Sequence, residues 1–143
     1  MSDAARRILL AILILGVLGI SIELLLLGHD EDFNQLIPLV LAAATLVMSA
    51  VVGLKPNSAT IRVFQALMLL LVLSGAVGMY LHFQVNMEFQ LEMDPALKGM
   101  ALFQKAILAK TPPALAPGAM TQLGLIGLAY TFRHPALGPG RTL

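Results

Sequence analysis

The chain lacks cysteine and tryptophan altogether, and only 12% of its 143 residues are charged. Without cysteine there is no disulfide framework, no thiolate metal site and no cysteine nucleophile. Without tryptophan, an aromatic belt at a membrane interface would rest on Tyr80, Tyr130 and a few phenylalanines. The scarcity of charge excludes an ordinary soluble domain, where about a quarter of residues are charged. No basic stretch is dense enough to suggest a nucleic-acid partner, and none is expected. The sequence also contains no nucleophile elbow, phosphate-binding loop or Ser/His/Asp signature. Nor does it hold the pair of Gly/Pro-broken helices on which many secondary transporters are built.

What is abundant is apolar. Hydrophobic residues make up 58% of the chain, with a mean hydropathy of +0.86. A hydrocarbon core of roughly 30 Å is crossed by about 20 helical residues. Runs of that kind fall at 8–27, 36–54, 61–86 and 114–133. The expected fold is an all-α membrane protein, a four-transmembrane-helix bundle, with residues 1–143 forming a single integral membrane domain. The first run follows Arg6 and Arg7 but is longer than a signal-peptide core, typically about 7–15 residues. No A-x-A cleavage pattern follows it, so it reads as a retained membrane helix.

Punctuation divides the rest. Asn34 is the expected N-cap of the second run, with Pro38 in its first turn. Lys55-Pro56-Asn57-Ser58 is a turn. Met93-Asp94-Pro95 reads as a stop and restart, with Asp94 as N-cap and Pro95 at the first helical position. Residues 96–110 place Lys98, Lys105 and Lys110 among Leu97, Met100, Phe103 and Ile107. That stretch is too short and too charged to span, and suits a surface helix in the long outer loop. Thr111-Pro112-Pro113 ends it, and the tail 136–143 is expected to be frayed or extended.

The third run organises the chain. Gln65 is the only strongly polar side chain between Val63 and Leu81, after which His82, Gln84, Asn86, Glu88, Gln90, Glu92 and Asp94 occupy every second position. No Pro or Gly interrupts Tyr80–Asp94, so one helix can continue past 86 and as far as 93.

The positive-inside rule sets the expected orientation. One side would hold both termini and Arg6, Arg7, Lys55, Arg62, Arg133 and Arg141. The other would hold Lys98, Lys105 and Lys110 with the acids Asp30, Glu31, Asp32, Glu88, Glu92 and Asp94. Both termini are therefore expected to be cytoplasmic. G-x-x-G pairs at Gly16/Gly19, Gly75/Gly78 and Gly124/Gly127 predict close helix packing.

The candidate chemistry gathers on the outer side. Glu23 lies in an apolar run, where a carboxylate is expected to face the bundle or find a partner, and His82 is nearest by position. His29 follows the first run and His82 closes the apolar part of the third, both toward the outer surface, so Glu23, His29, His82 and Glu88 form a candidate metal-ligating set. A bis-His haem would need the two histidines on facing helices, which spacing alone does not show. His134 falls on the opposite side. The function expected from these features is a non-enzymatic accessory or interaction subunit of a membrane complex. Its partners would be the lipid bilayer and either other membrane subunits or further copies of itself. The alternative is an ion- or metal-handling protein that uses the outer His/carboxylate cluster. No cofactor is indicated by the residues.

Overall fold

A computed structural model of the chain describes residues 1–29, 31, 33–109 and 115–138. All regular structure among them is helical: α1 (Asp3–Leu26), α2 (Phe33–Leu54), α3 (Ser58–Met93), α4 (Gly99–Ile107), α5 (Leu115–Thr131) and a 3-10 turn, Pro135–Leu137. Helices α1, α2 and α3 are each long and apolar enough to cross a membrane, and α5 has 17 residues. The four longer helices form a ring. In it α1 packs on α2 and α5, and α3 packs on α2 and α5. One end of the ring carries the start of α1, the α2–α3 turn and the end of α5, and is called here the terminal end. The opposite end, with the α1–α2 connection and α4, is the hairpin end.

Element boundaries depart from the hydropathy runs for identifiable reasons. Ser2 caps α1, its hydroxyl accepting from the Ala5 amide at 3.3 Å, so the helix includes Arg6 and Arg7 rather than starting after them. Helix α2 begins at Phe33, which puts Asn34 inside the helix and Pro38 in its second turn. Hydropathy marks where a helix becomes apolar, whereas the backbone turn begins earlier, on polar residues. Asn57 opens α3 with a reciprocal capping box, the Thr60 amide donating to Asn57 Oδ1 at 2.9 Å and the Asn57 amide to Thr60 Oγ1 at 3.0 Å.

Helix α3 runs 36 residues without interruption, about 54 Å at 1.5 Å per residue. It therefore reaches Met93, as the absence of breakers allows. Asp94 then closes α3 instead of opening the next helix. Its Oδ1 accepts from the Ala96 amide at 3.1 Å, an Asx turn that carries the chain round Pro95. Helix α4 starts at Gly99 and ends at Ile107, shorter than the 96–110 expected. It returns alongside the far half of α3, where Phe83 and Phe103 rings lie 5.6 Å apart and Asn86 Nδ2 donates to the Ala106 carbonyl at 3.2 Å. Lys110, Thr111-Pro112-Pro113, Asp30, Asp32 and the tail beyond residue 138 lie outside the described residues. Of the tail, Ala136 and Leu137 are folded rather than frayed, half-buried against the core.

The core holds Leu13, Val17, Phe64, Met68, Leu71 and Met120. Its tightest seam is α3 against α5. A Cβ on Gly75 would overlap Thr121 Oγ1 and the Pro117 carbonyl and come within 2.8 Å of the Thr121 amide nitrogen. One on Gly124 would lie 2.8 Å from the Met68 carbonyl and 3.0 Å from the Val72 nitrogen. Backbone atoms cannot step aside as a side-chain tip can, so these two glycines permit the approach. Gly16 and Gly127 face side chains, of Leu123 and Met68, and Gly19 faces open space.

The terminal end is closed by polar groups. Arg6 is only 6% exposed. Its Nη1 donates to the carbonyls of Tyr130 (2.9 Å) and Phe132 (3.2 Å), and its Nη2 to that of Arg133 (2.8 Å). These are carbonyls at the end of α5 for which the helix supplies no donor, and a cation there also meets the negative end of the helix dipole. Tyr130 continues across the ring, its hydroxyl donating to the Val52 carbonyl of α2 at 3.3 Å. That carbonyl is an orphan because the residue four positions on, Pro56, has no N–H. Gln65 of α3 donates to Thr131 Oγ1 at 3.1 Å. His134 is buried beside the Tyr130 ring, and its Nδ1 accepts from the Ala136 amide at 3.1 Å. Burial pushes the His134 imidazole below its ordinary pKa, with Arg6 adding to the effect and Asp3 opposing it.

Gly75→Ala should therefore lower bundle stability by about 1–3 kcal/mol. Gly19→Ala should be neutral or stabilising by up to about 1 kcal/mol. Thermal unfolding in detergent compares the two, and equal behaviour would remove the argument for backbone contact at Gly75.

Arg6→Leu strands carbonyls that nothing else reaches and should cost about 1–3 kcal/mol. Arg7→Leu, at an exposed site, should stay within about 0.5 kcal/mol. For His134 the folded state disfavours the proton, so its stabilising contribution is complete above the ordinary imidazole pKa near 6.5. That contribution is lost as pH falls below it. Melting temperature should drop as pH falls from about 7 to about 5, and His134→Asn, which keeps an acceptor for the Ala136 amide, should flatten the drop.

Candidate functional site

At the hairpin end the ring opens into a cavity of about 830 Å³ bounded by all four longer helices. Most of its wall is aliphatic: Leu24 from α1, Leu41 from α2, Leu73 and Val77 from α3, and Met120 from α5 contribute to it. The polar groups on the wall are few. They are Glu23, His29, Asn34, Gln35, Ser74 and His82.

His29 is placed by the way α1 ends. Gly28 takes a left-handed conformation, φ +65°, at which a Cβ would be strained. The Gly28 amide then bonds the Leu25 carbonyl at 3.1 Å, and the His29 amide bonds the Leu24 carbonyl at 2.9 Å. These are the two bonds of a Schellman motif, which folds the residue after the glycine back over the helix end. The His29 ring consequently meets that of His82, with centroids 6.2 Å apart and planes inclined by 22°. Among the described residues, the backbones of α1 and α3 do not pack on each other. The two stacked imidazoles thus bridge a diagonal of the ring.

Glu23 lies on the same wall, exposed, and does not bond His82. Among the described residues its carboxylate has no hydrogen-bond or ion-pair partner. The expectation that Glu23 is satisfied by His82 is replaced by a carboxylate facing open space. Of the candidate metal set, His29 and His82 come together and Glu23 shares their cavity, while Glu88 is exposed on α3 and is not part of the wall. Among the described residues, no three His, Cys, Asp or Glu side chains gather closely enough to hold one metal ion.

Two further wall features were not visible from spacing. Pro38 removes the N–H that would normally bond the Asn34 carbonyl, so a helical acceptor beside the cavity loses its regular donor. The Ser74 hydroxyl has no hydrogen-bond partner among the described residues, unlike that of Ser21, which donates to the Val17 carbonyl at 2.7 Å. A second concavity, of about 970 Å³, runs between α3 and α4 and is lined by Val85, Asn86, Phe89, Gln104, Lys105 and Leu108 among others.

Comparison with known protein families, with curated proteins and with solved structures finds no match to this chain.

An unpaired carboxylate on an apolar wall contributes nothing to folding that a leucine could not exceed. Glu23→Leu should therefore leave the melting temperature in detergent unchanged or raise it. A clear destabilisation would show that Glu23 has a structural partner after all.

Proposed function

We propose that the chain is a four-span integral membrane protein, with α5 as the fourth span and both termini cytoplasmic. In this reading it serves as a non-enzymatic interaction subunit of a membrane complex. Support for the fourth span comes from α5 packing along α3 within the ring. At about 1.5 Å per residue its 17 residues reach about 25 Å. Support for the orientation comes from Lys and Arg: Arg7, Lys55, Arg62 and Arg133 lie at the terminal end, Lys98 and Lys105 at the other.

The observation that carries the interaction reading is the α3–α4 hairpin. Helix α3 is about 24 Å longer than a hydrocarbon core of roughly 30 Å requires. Along that excess, polar and apolar residues alternate, and in a helix alternation produces rows at i, i+4 and i+8. One row, Val85, Phe89 and Met93, stays exposed, with Phe89 at 56% and Met93 at 71%. Met100 of α4 and Leu108 just after it add exposed apolar side chains, at 68% and 80% exposure. Val85, Phe89 and Leu108 line one concavity beside Glu88 and Glu92, and exposed apolar side chains of this size mark a surface that another polypeptide covers. The partner proposed is another membrane-embedded subunit.

A metal-handling role draws on the closeness of His29 and His82. The rings stack rather than converge on a point, and Glu88 is not with them, so this reading ranks second. Zinc or copper should then raise the melting temperature of the wild-type protein and not of a His29→Ala, His82→Ala double variant. Equal responses would dispose of the metal.

Native mass measurement after mild detergent extraction tests the interaction reading. Wild type should leave the membrane with a second polypeptide at fixed stoichiometry, and Phe89→Glu, Leu108→Glu should leave alone. A mass at a multiple of 15.2 kDa would identify self-association instead, and single chains in both cases would overturn the proposal. Labelling from outside should reach a cysteine placed at Lys105 and miss one placed at Asn57, whereas the reverse would invert the orientation.

A further inference from the structure

We infer that the hairpin-end cavity binds a lipophilic organic cation, an ammonium or phosphonium centre on a bulky apolar body. The cavity volume, about 830 Å³, lies within the range of about 300–1,000 Å³ typical of small-molecule sites. Its wall is aliphatic on every helix, which suits an apolar body. Among the described wall residues Glu23 is the only Asp, Glu, Lys or Arg, so the formal charge that they present to a ligand is negative. That carboxylate has no partner among the described residues. A weakly hydrated cation costs little to desolvate, and beside an apolar wall its attraction to a lone carboxylate is screened less than in water.

The other polar features reinforce the sign. The Ser74 hydroxyl and the Asn34 carbonyl released by Pro38 both offer oxygen lone pairs. Among the described residues, no wall side chain offers an ammonium or guanidinium to an anion. This also separates the two sources of such a ligand. A zwitterionic phospholipid would bring an ammonium together with a phosphate, and the phosphate would find no basic side chain on the wall. A free lipophilic cation brings no such mismatch. The site shares Val85 with the α3–α4 surface, but Phe89 and Leu108 are not among its wall residues.

Equilibrium dialysis of the full chain in a neutral detergent tests the inference, with tetraphenylphosphonium as probe. Tetraphenylborate, of the same shape and opposite charge, is the control. The expected result is saturable binding of one phosphonium per chain, no saturable binding of the borate, and at least a tenfold loss of phosphonium affinity in Glu23→Gln. The melting temperature of Glu23→Gln should stay at or above that of wild type. Val77→Trp, which keeps the carboxylate and fills the cavity, should also lose binding, and it decides the matter if Glu23→Gln fails to fold. Vesicles of phosphatidylethanolamine in excess should not displace the probe, and displacement would reassign the site to a lipid headgroup. Equal binding of both ions, or unchanged affinity in the variants, would overturn the inference. Phe89→Glu, Leu108→Glu should bind the probe as wild type does, whatever the fate of the interaction reading.

Discussion

The contact on which this bundle depends is a buried guanidinium at the end of another helix. Arg6 enters the terminal end from α1 and donates to three carbonyls that close α5. An arginine is suited to this because its planar fork can reach several acceptors at fixed spacing, which the ammonium of lysine cannot. The interaction fixes the relative height of α1 and α5. Through Tyr130 and Thr131 it extends to α2 and α3, so all four longer helices are tied at one level. The carbonyls bonded by Arg6 and Tyr130 are ones that their own helices leave without a donor. In surroundings without water, that requirement is as strong a constraint as packing.

The two ends of the ring differ in how their polar groups are satisfied. The glycines of α3 and α5 keep that pair in backbone contact as far as Gly75 and Pro117. Past that level two of the wall polar groups lack a partner. Glu23 and Ser74 have no partners among the described residues, and the only described contact across this end is a stack of two imidazoles. One end of the bundle is thus built for stability, and the other carries unsatisfied groups around open space. Stability held in the first allows such groups to persist in the second.

Much of this architecture was legible from the residues. Four apolar runs, turn residues between them and the unbroken stretch after Tyr80 indicated a helical membrane protein with an extended third helix. That His29 and His82 both lie toward the outer end was legible, but their stacking was not. Other features were not legible. Arg6 looked like a flanking charge, because nothing in a linear reading connects it to carbonyls more than a hundred residues away. Ser2 and Asp3 did mark an earlier helix start, and reading them as a cap would have placed Arg6 inside the helix. The role of Asp94 reversed for a similar reason: the same side chain can cap a following helix or make an Asx turn, and only the packing of α4 on α3 selects the turn.

By itself the sequence determined the class of the protein, the placement of its helices and the uneven distribution of its charges. Those properties follow from composition and period, which act locally and need no knowledge of neighbours. Only the tertiary structure decided which of the paired glycines matter, since a missing Cβ is significant only where another backbone lies opposite. It alone decided that Glu23 faces a cavity rather than a histidine. Whether a carboxylate is satisfied depends on groups brought by three other helices, and their rotation about their own axes is set by the packing at the terminal end.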